Sequence, residues 1–561
     1  MKRVLPVSLA TLGAVLWGAA QAASPGISGT SFDLTAQPAY ITQPDGQAVY
    51  SWGYGCATTM TPAFAPFAGK CTGMQIPGPT LIVPQGQTIT VNLTNNLPVS
   101  AGNTSILFPG FTLTSAVAAA TQPSTCPATA TPAVRGLLTT EASPGCEVTY
   151  TFTATNAGTH AYYSGTQGDL QVEMGLYGAV IVLPSSVPAV CTAGLPVSAP
   201  HNNANAQAAW GETDFRLAAA AYNHPDTCYD REYLFQFSEM DPNIHNQALV
   251  QVNACTTPAG VPIAGCHLTV PTEPYHPAYF MINGRSMPDN MDPNYAAQYP
   301  HQPYNGNPHM HPGELTLLRI IGQGRWQHPF HEHGNHVRIL ARDGNLILSS
   351  SSLNYPAGGT STVSAQALAG PLLFTTTTTP GQTMDGIFYW TAKGLNWDAY
   401  GHHVGSDTDP NAVLGCTPDA NGYNTGAPSA INYFEWCQDH DKPLEKAPFG
   451  DVGAGGPATL PDPNLFTNGP WFSGSPYLGP DATARATFGL CTGSGTTTQC
   501  GTTGTTPPSG TIANSPSSEA GFAFMWHSHN EREITTNNIF PGGMLMMMLV
   551  DSREFKIDET N

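Results

Sequence analysis

The chain has 561 residues, more than one hydrophobic core usually serves, so we expect two domains. Charged residues make up only 10% of the sequence, whereas 58 Gly and 51 Pro indicate a turn-rich protein, and 22 Phe, 21 Tyr and 9 Trp argue against a disordered chain. The net charge of −20 argues against nucleic acid or anionic lipid as partners, because either would repel the surface.

Residues 1–22 have the pattern of a secretory signal peptide. Lys2 and Arg3 precede a short apolar stretch, and the small-x-small sequence at 20–22 is typical of a cleavage site. The apolar run is short for a membrane anchor, and no later window is apolar enough to span a bilayer. We therefore expect an exported protein, periplasmic or extracellular, with no transmembrane segment after signal removal.

Twelve cysteines stand as six pairs that are close in sequence. An even number of cysteines in an oxidising compartment suggests disulfide bonds, although the sequence leaves their connectivity open. The sequential pairs are Cys56/Cys71, Cys126/Cys146, Cys191/Cys228, Cys255/Cys266, Cys416/Cys437 and Cys491/Cys500.

Short segments of alternating, β-branched sequence predict strands along the chain. Helical periodicity over a dozen residues is not evident, so we expect little α-helix and β-sandwiches as the way to bury the strands. The predicted strands lie at 80–84, 88–94, 147–155, 176–183, 233–237 and 315–321.

A change of composition around 190–210, where Pro, Ser, Asn and Ala are frequent, predicts a linker between two sandwiches. We therefore expect a first domain over 23–190 and a second over 205–561. Residues from about 395 to 520 are rich in Gly, Asn, Asp, Thr and Pro, which predicts a long, loop-rich insertion in the second domain.

Two histidine-rich motifs predict a metal site. They are HPFHEHGNH, with His328, His331, His333 and His336, and MWHSHNERE, with His527 and His529. Because side chains alternate along a strand, the two histidines of each H-x-H pair share one face, whereas His328 points to the other. Two adjacent strands with such pairs present four imidazoles to one cavity, a donor set suited to copper, zinc or iron.

Two further motifs contain residue types that bind copper. His309-Met310-His311 lies in Pro-, Asn- and Gly-rich sequence, which predicts a flexible surface loop. The run MLMMM at 544–548 lies in an apolar terminal segment, which predicts a strand that packs in the core.

The histidine motifs resemble those of the multicopper oxidase family. HPFHEHGNHVRILARDG is similar to the family pattern HPxHxHGHxFxVLxxDG, and MWHSHNERE is similar to WxxHCHxxxH. The segments at 74–98, 157–184, 280–288 and 380–390 also resemble family segments in family order. The resemblance implies an all-β fold of two cupredoxin-like Greek-key β-sandwich domains. It also implies copper as cofactor, with His331, His333, His527 and His529 as its ligands.

The first domain departs from the family pattern at every ligand position. Leu107 and Pro109 stand where the family has one H-x-H pair, and Tyr163 and Gly165 stand where it has the other. We therefore expect no metal ligands in the first domain. His160 is an isolated histidine, for which we predict a structural role.

The mononuclear, type 1 site of the family is also altered. Ser528 stands in place of the cysteine whose thiolate gives blue copper its properties, and Glu533 stands in place of the second histidine. His328 is retained. We therefore expect one or two copper ions and no blue type 1 copper, with His328 and Glu533 as candidates for a second, weaker metal site.

The retained histidines and the lost cysteine leave three functions open. The first is a copper oxidoreductase that is not laccase-like, because electrons have no thiolate route to the histidine site; its catalytic residues are not assigned. The second is a periplasmic or extracellular copper carrier without turnover. The third is a structural surface protein. Metal ions are the expected partners, and a homo-oligomer is compatible with the sequence.

Overall fold

The computed structural model describes the two sandwiches and part of the intervening sequence. The described residues are 24–57, 71, 73–192, 204–393, 417–437, 474–478, 491–492, 499–500, 512–513 and 520–557, with gaps at 213, 215, 358–360, 431–432, 552 and 554–555. The predicted signal peptide at 1–22 and most of the predicted insertion at 395–520 lie outside these residues, and both stay predictions.

The first sandwich consists of a four-stranded and a five-stranded sheet. Its strands are β1 (Ile27–Ser28), β2 (Ser31–Thr42), β3 (Ala48–Cys56), β4 (Leu81–Pro84), β5 (Thr88–Asn95), β6 (Leu113–Ala118), β7 (Ala133–Arg135), β8 (Thr140–Ala142), β9 (Glu147–Thr153), β10 (Gly158–Tyr163) and β11 (Tyr177–Leu183). The four-stranded sheet has the order β1-β4-β11-β10, the five-stranded sheet has the order β3-β2-β5-β9-β6, and β7 pairs with β8 in a separate two-stranded sheet. In β9 every second residue is buried, so Val148, Tyr150 and Phe152 face the core.

The second sandwich consists of two seven-stranded sheets, together with two separate two-stranded sheets. Its strands are β12 (Arg231–Met240), β13 (Tyr279–Ile282), β14 (His309–Met310), β15 (Leu315–Gly322), β16 (His328–Glu332), β17 (Val337–Arg342), β18 (Asn345–Leu346), β19 (Leu348–Ala357), β20 (Ser361–Leu368), β21 (Leu372–Leu373), β22 (Thr375–Thr378), β23 (Thr383–Tyr389), β24 (Gly474–Leu478), β25 (Cys491–Thr492), β26 (Gln499–Cys500), β27 (Ile512–Ala513), β28 (Ala520–Ser528) and β29 (Leu545–Asp551).

The order of strands in the second sandwich places the two histidine motifs side by side. One sheet has the order β13-β12-β15-β23-β17-β18, with β21 on β17, and the other has the order β14-β29-β28-β16-β22, with β24 on β28 and β27 on β24. Phe235 and Ile320 from the first sheet pack against Phe330, Trp526 and Met546 from the second. The strand β16 therefore lies between β28 and β22, with a hydrophobic core beneath it.

The strands and the core confirm the predicted all-β fold. Strands form close to all six predicted segments. The predicted core packing of the methionine run is also confirmed, because Met544, Met546 and Met548 are fully buried.

The described helices are short, with one exception that the sequence analysis missed. They are α1 (Gly168–Gln171), α2 (Ala189–Thr192), α3 (Ala204–Trp210) and α4 (Pro242–Ala254). The 13-residue helix α4 begins with Pro242 at its first position, and the Asp241 side chain accepts a hydrogen bond from the Asn243 N–H. None of the helices in the described part of the chain has the length and apolar character that a membrane span requires.

The helix α4 follows the first strand of the second sandwich but completes the core of the first. Ile244 and Ala248 are buried within the first hydrophobic core. One nitrogen of His245 bonds to the Tyr50 carbonyl oxygen at 2.6 Å, and the other to the Glu173 carbonyl oxygen at 3.0 Å. The two sandwiches therefore share a structural element.

A buried polar network joins the sandwiches at a second place. The carboxylate of Asp385 in β23 accepts hydrogen bonds from the Thr159 hydroxyl at 2.6 Å and the Tyr222 hydroxyl at 2.5 Å. The Thr383 hydroxyl donates to the Thr159 carbonyl oxygen at 2.5 Å. Because each of these groups is buried, the network fixes how the edge strand β10 of the first sandwich meets β23.

Among the described residues, four of the six sequential cysteine pairs form disulfides, a connectivity that the sequence left open. They are Cys56–Cys71, Cys126–Cys146, Cys191–Cys228 and Cys255–Cys266. Cys437 is also disulfide-bonded, but its predicted partner Cys416 lies outside the described residues. Cys491 and Cys500 are opposite each other in the β25–β26 ladder.

Candidate metal centre

Adjacent strands bring the four predicted histidine ligands together. In the antiparallel pairing of β16 with β28, His331 lies directly opposite His527. The ring centroid of His331 is 4.8 Å from that of His333, 4.9 Å from that of His529 and 5.5 Å from that of His527. The remaining neighbours, His333/His527 and His527/His529, are 5.1 and 5.6 Å apart. We call these four side chains the imidazole cluster.

The closest approach within the imidazole cluster joins two ring nitrogens. Nε2 of His527 lies 3.3 Å from Nε2 of His333. Two imidazole nitrogens that bind one ion at about 2.0–2.1 Å are separated by about this distance when the angle at the ion is near tetrahedral. The spacing of this pair therefore fits joint ligation of one transition-metal ion.

Hydrogen bonds on the far side of two rings orient their Nε2 atoms towards the cluster. Nδ1 of His331 lies 2.6 Å from the Thr375 hydroxyl, and Nδ1 of His527 lies 2.7 Å from the Ser528 carbonyl oxygen. A carbonyl oxygen only accepts, so Nδ1 of His527 carries the proton and Nε2 presents a lone pair. This arrangement is the one that metal-ligating histidines commonly show.

Burial favours the uncharged form of two rings of the cluster, His331 and His527. Desolvation, with the neighbouring His527 and His529 rings, lowers the pKa of His331 to about 4. Desolvation also lowers the pKa of His527. Because only the unprotonated imidazole has a lone pair for a metal, the cluster can bind a cation without first releasing protons from these rings.

The imidazole cluster is open to solvent on one side. His331, His333 and His527 are only 4–6% exposed, whereas the side chain of His529 is 55% exposed. The backbone N–H of His529 donates to the Pro329 carbonyl oxygen at 2.7 Å, which holds this residue beside β16. A small molecule or an ion can therefore reach the cluster at His529.

On the opposite face of β16, His328 lies between two carboxylates. Nε2 is 2.8 Å from an oxygen of Glu239, and Nδ1 is 2.9 Å from an oxygen of Glu533. Although burial lowers its pKa, the hydrogen bonds to Glu239 and Glu533 raise the pKa of His328 to about 9. At neutral pH the imidazole is protonated and donates from both nitrogens. We call these three residues the carboxylate clamp.

Ser528 belongs to the carboxylate clamp rather than to the imidazole cluster. Its hydroxyl donates to Glu533, and the Asn530 amide donates to the other oxygen of that carboxylate at 2.8 Å. Glu239 accepts from the backbone N–H groups of Arg325 at 2.6 Å and Trp326 at 2.8 Å. Both carboxylates are therefore well hydrogen-bonded without a metal.

Glu239 is the site residue that sequence analysis missed. It lies 89 residues before His328, at the end of β12, in which every residue is buried. A carboxylate in a fully buried strand requires a partner, but β12 also contains Arg231, Glu232 and Gln236, so its sequence does not single out Glu239. The sequence does not reveal which partner that is.

The four first-domain positions at which the family has ligands form ordinary packing contacts. Leu107 pairs with Tyr163 through backbone hydrogen bonds, and its side chain fills the space beside Gly165, where a Cβ atom would lie 2.8 Å from Leu107 Cγ. Pro109 lines a cavity at the domain junction. Leu107 and Pro109 have no donor atom and Gly165 has no side chain, so these three positions cannot replace an imidazole as a metal ligand.

The predicted surface loop at 309–311 is wrong, because these residues are inside the protein. Met310 is fully buried, and His311 is 1% exposed, with Nε2 2.7 Å from Glu212 and Nδ1 2.8 Å from the Asp551 carbonyl oxygen. The segment is held because β14 pairs with β29, a contact between distant parts of the sequence. Local composition does not encode such a contact.

A second group of potential ligands surrounds His311. One ligand atom from each of Glu212, His311 and Glu314 lies within 4.8 Å of the other two. Among the described residues, no other group of three or more potential metal ligands is as compact. The nitrogens of the imidazole cluster are therefore spread more widely. At Glu212 and Glu314, however, the Arg231 guanidinium bonds to both carboxylates, so their charge is already balanced.

Comparison with known proteins supports the resemblance to the multicopper oxidase family. Residues 68–187 match the family model for multicopper oxidases. The predicted resemblance is confirmed. The match lies within the first sandwich, the part of the chain that has lost the ligand positions. No curated protein matches the chain.

Solved structures of copper proteins are similar to the chain over most of its length, at low identity. The multicopper oxidase mgLAC has 13% identity and a TM-score of 0.40, with 94% of this chain and 87% of that chain covered. A blue copper oxidase from Nitrosomonas europaea has 14% identity and a TM-score of 0.39, with 92% and 85% covered. A copper nitrite reductase from the same organism has 15% identity and a TM-score of 0.34, with 65% and 85% covered.

Proposed function

We propose that this protein is an exported copper oxidoreductase that binds copper at the imidazole cluster and is not a laccase. The observation that carries the proposal is the convergence of four imidazoles, with Nε2 of His333 and Nε2 of His527 3.3 Å apart. When bound, copper supplies one-electron redox chemistry, which no amino-acid side chain of the cluster supplies by itself.

The chemistry of the donors favours copper over the other candidate metals. Imidazole nitrogens suit copper, zinc, iron and nickel, and copper(II) forms the strongest complexes among the divalent ions. The family match to multicopper oxidases supports the same choice. The spread of the four rings suits two ions that share the cluster better than one ion with four short bonds, so we propose up to two ions.

The residues around Ser528 do not favour laccase-like electron transfer. Ser528 contributes a hydroxyl instead of a thiolate, and it bonds to Glu533 on the face away from the imidazole cluster. Both nitrogens of His328 donate to carboxylates, so we leave His328 and Glu533 out of the proposed ligand set. Without a separate electron-accepting copper, a reductant has to approach the cluster itself, and His529 provides the opening.

A copper carrier without turnover is the second candidate. The observation that favours it is also the exposure of His529, because an accessible ligand allows an ion to be passed to another protein. The oxidoreductase and the carrier would use the same copper ligands. They differ in whether the bound copper exchanges electrons with a substrate. A structural role for the ion has no comparable observation in its favour, because the cluster is at an open edge.

Export is supported by the disulfides. Four formed disulfides indicate an oxidising compartment, and the predicted signal peptide would direct the chain there. We therefore propose a periplasmic or extracellular location.

The deciding experiment combines metal analysis with oxygen uptake. The protein purified with copper should contain bound copper, should show a copper(II) spin-resonance signal and should lack the intense blue band of a copper–thiolate bond. The double variant His331→Ala/His529→Ala should lose the copper, whereas His276→Ala, which replaces an exposed histidine of another loop, should retain it.

Oxygen consumption then separates the two candidates. Uptake that requires both copper and a reductant supports the oxidoreductase, and its absence with phenolic, ferrous and manganous donors supports the carrier. Unchanged copper content in the double variant would show that the ligands are elsewhere, and both proposals would fail.

A further inference from the structure

A cavity at the junction of the two sandwiches lies apart from the imidazole cluster. Its volume is about 360 Å³, enough for several water molecules or a hydrated ion. Both sandwiches contribute to its wall, which includes Pro109, Gly110, His160, Asp343, Gln382 and Thr383. No residue of the imidazole cluster or of the carboxylate clamp lines it.

His160 is buried and presents an unused nitrogen to this cavity. The side chain is 2% exposed, and its Nε2–H donates to the Asn156 carbonyl oxygen at 3.0 Å. Nδ1 therefore carries the lone pair, and it has no hydrogen-bond partner among the described residues. Burial lowers the pKa of His160, which keeps the ring neutral. This nitrogen is therefore available to accept from, or to bind, a ligand in the cavity.

Glycines from both sandwiches make room around the His160 ring. A Cβ atom on Gly110 would lie 3.2 Å from Nδ1, and one on Gly344 would lie 2.5 Å from Cε1. The ring also contacts Phe111, with centroids 4.5 Å apart. A side chain at either position would crowd the ring, so the two glycines leave space beside it.

Asp343 also lines the cavity and provides a carboxylate. It occupies the turn between β17 and β18 with φ of 50°, followed by Gly344 with φ of 71°, the backbone that a two-residue Asp-Gly hairpin adopts. One carboxylate oxygen accepts from the Thr383 N–H at 2.8 Å, which fixes its direction. The neighbouring cation, Arg342, donates to the Gln382 amide oxygen at 3.2 Å instead of to Asp343.

We propose that the cavity binds a divalent transition-metal ion through Nδ1 of His160 and the carboxylate of Asp343, with water as the remaining ligands. Both residues show the support that metal ligands usually have: the far nitrogen of the histidine donates to a backbone carbonyl, and the carboxylate accepts from a backbone N–H. A nitrogen and an oxygen donor together suit zinc(II) or copper(II).

The ion would connect the two sandwiches. His160 belongs to β10 of the first, and Asp343 follows β17 of the second, so an ion that binds both stabilises their contact. Because two protein ligands hold an ion weakly, occupancy should depend on the free metal concentration, and the stabilisation should follow it.

Zinc binding to the chelator-treated, full-length protein tests the proposal. Equilibrium dialysis against zinc chloride should show that His160→Gln and Asp343→Asn each remove one weakly bound zinc ion, with affinity at that site reduced at least ~10-fold. The loss should also occur in the His331→Ala/His529→Ala background, which separates this site from the imidazole cluster. Zinc should raise the melting temperature of the wild type more than that of Asp343→Asn.

Two exposed residues serve as matched controls: His276→Gln and Asp169→Asn should bind as much zinc as the wild type. Asp343 is exposed on a turn, so Asp343→Asn remains informative even if His160→Gln does not fold. Wild-type zinc binding in Asp343→Asn would overturn the proposal, whatever His160→Gln shows. Copper binding at the imidazole cluster does not enter either outcome.

Discussion

The imidazole cluster and the carboxylate clamp lie on opposite faces of the same strand, and each contains a histidine of that strand. The pKa values of these two histidines are shifted in opposite directions. On one face, His331 has imidazole neighbours, and its pKa is lowered to about 4. On the other face, His328 has two carboxylate neighbours, and its pKa is raised to about 9. The two residues are three positions apart.

This difference shows that the neighbours of a histidine determine its protonation state, and therefore whether it can bind a metal. A ring among other imidazoles has a lone pair to give to a metal, whereas a ring between carboxylates has two N–H groups and none. In the clamp the protonated imidazole supplies the positive charge that the two buried carboxylates require. The similarity of His328 to a family ligand position therefore does not by itself make it a ligand here.

Removal of His328 is expected to have the largest effect. His328→Ala leaves Glu239 and Glu533 buried without their cation, which should lower the free energy of unfolding by about 3–5 kcal/mol. Urea denaturation measures the loss, and His276→Ala, at an exposed site, is the control. The folded fraction should still bind copper, since the cluster is on the other face. A change below about 1 kcal/mol would contradict the clamp.

Stability should also depend on pH through His328. Its folded-state pKa of about 9 exceeds the ordinary value near 6.5, so its stabilisation is complete below pH 6.5 and is lost as the pH rises through 9. Burial also raises the pKa of Glu173 to about 8, which acts in the same direction. The difference between wild type and His328→Gln isolates the histidine and should shrink by on the order of 2–3 kcal/mol from pH 6.5 to 9.

A smaller effect is expected at Thr375, which holds the far nitrogen of His331. Thr375→Ala should weaken copper(II) binding by about tenfold, because the ring loses the contact that orients its Nε2 atom. Competition with a chromophoric chelator measures the affinity. Thr377→Ala is the matched control, since Thr377 is exposed on the same strand. Equal affinities for the two variants would show that the hydroxyl does not position the ring.

The smallest effect is expected when the family's thiol is restored. Ser528→Cys alone should not produce an intense blue absorption with copper(II), because Glu533 and Glu239 still occupy both nitrogens of His328. An absorption spectrum after copper addition is sufficient. A strong blue band would show that His328 exchanges its carboxylate partners for a metal, and the distinction between the two faces would disappear.

Local sequence patterns were sufficient for the strands and for the convergence of the cluster. Alternation in β9 and the H-x-H pairs of His331/His333 and His527/His529 are properties of a few consecutive residues. The pairing of β16 with β28 then brought the rings together, as the two motifs had suggested. Whether the rings bind copper stays a prediction.

What the sequence did not reveal depends on contacts between distant residues. Glu239 meets His328 across 89 positions, and His311 is buried by Glu212 and Asp551. The helix α4 was not predicted because its apolar face is narrow. The only sequence signal for it was Asp241 followed by Pro242, which is typical of a helix N-terminus. In each case the decisive neighbour is supplied by the tertiary fold.

The position of α4 has a consequence for biosynthesis. The N-terminal sandwich buries Ile244 and Ala248, which are encoded after the first strand of its neighbour. A chain that has been synthesised only to residue 190 therefore exposes an apolar surface that α4 later covers. We expect N-terminal fragments ending near residue 190 to aggregate or to be degraded, whereas fragments extended past residue 275 contain all the buried residues of this core.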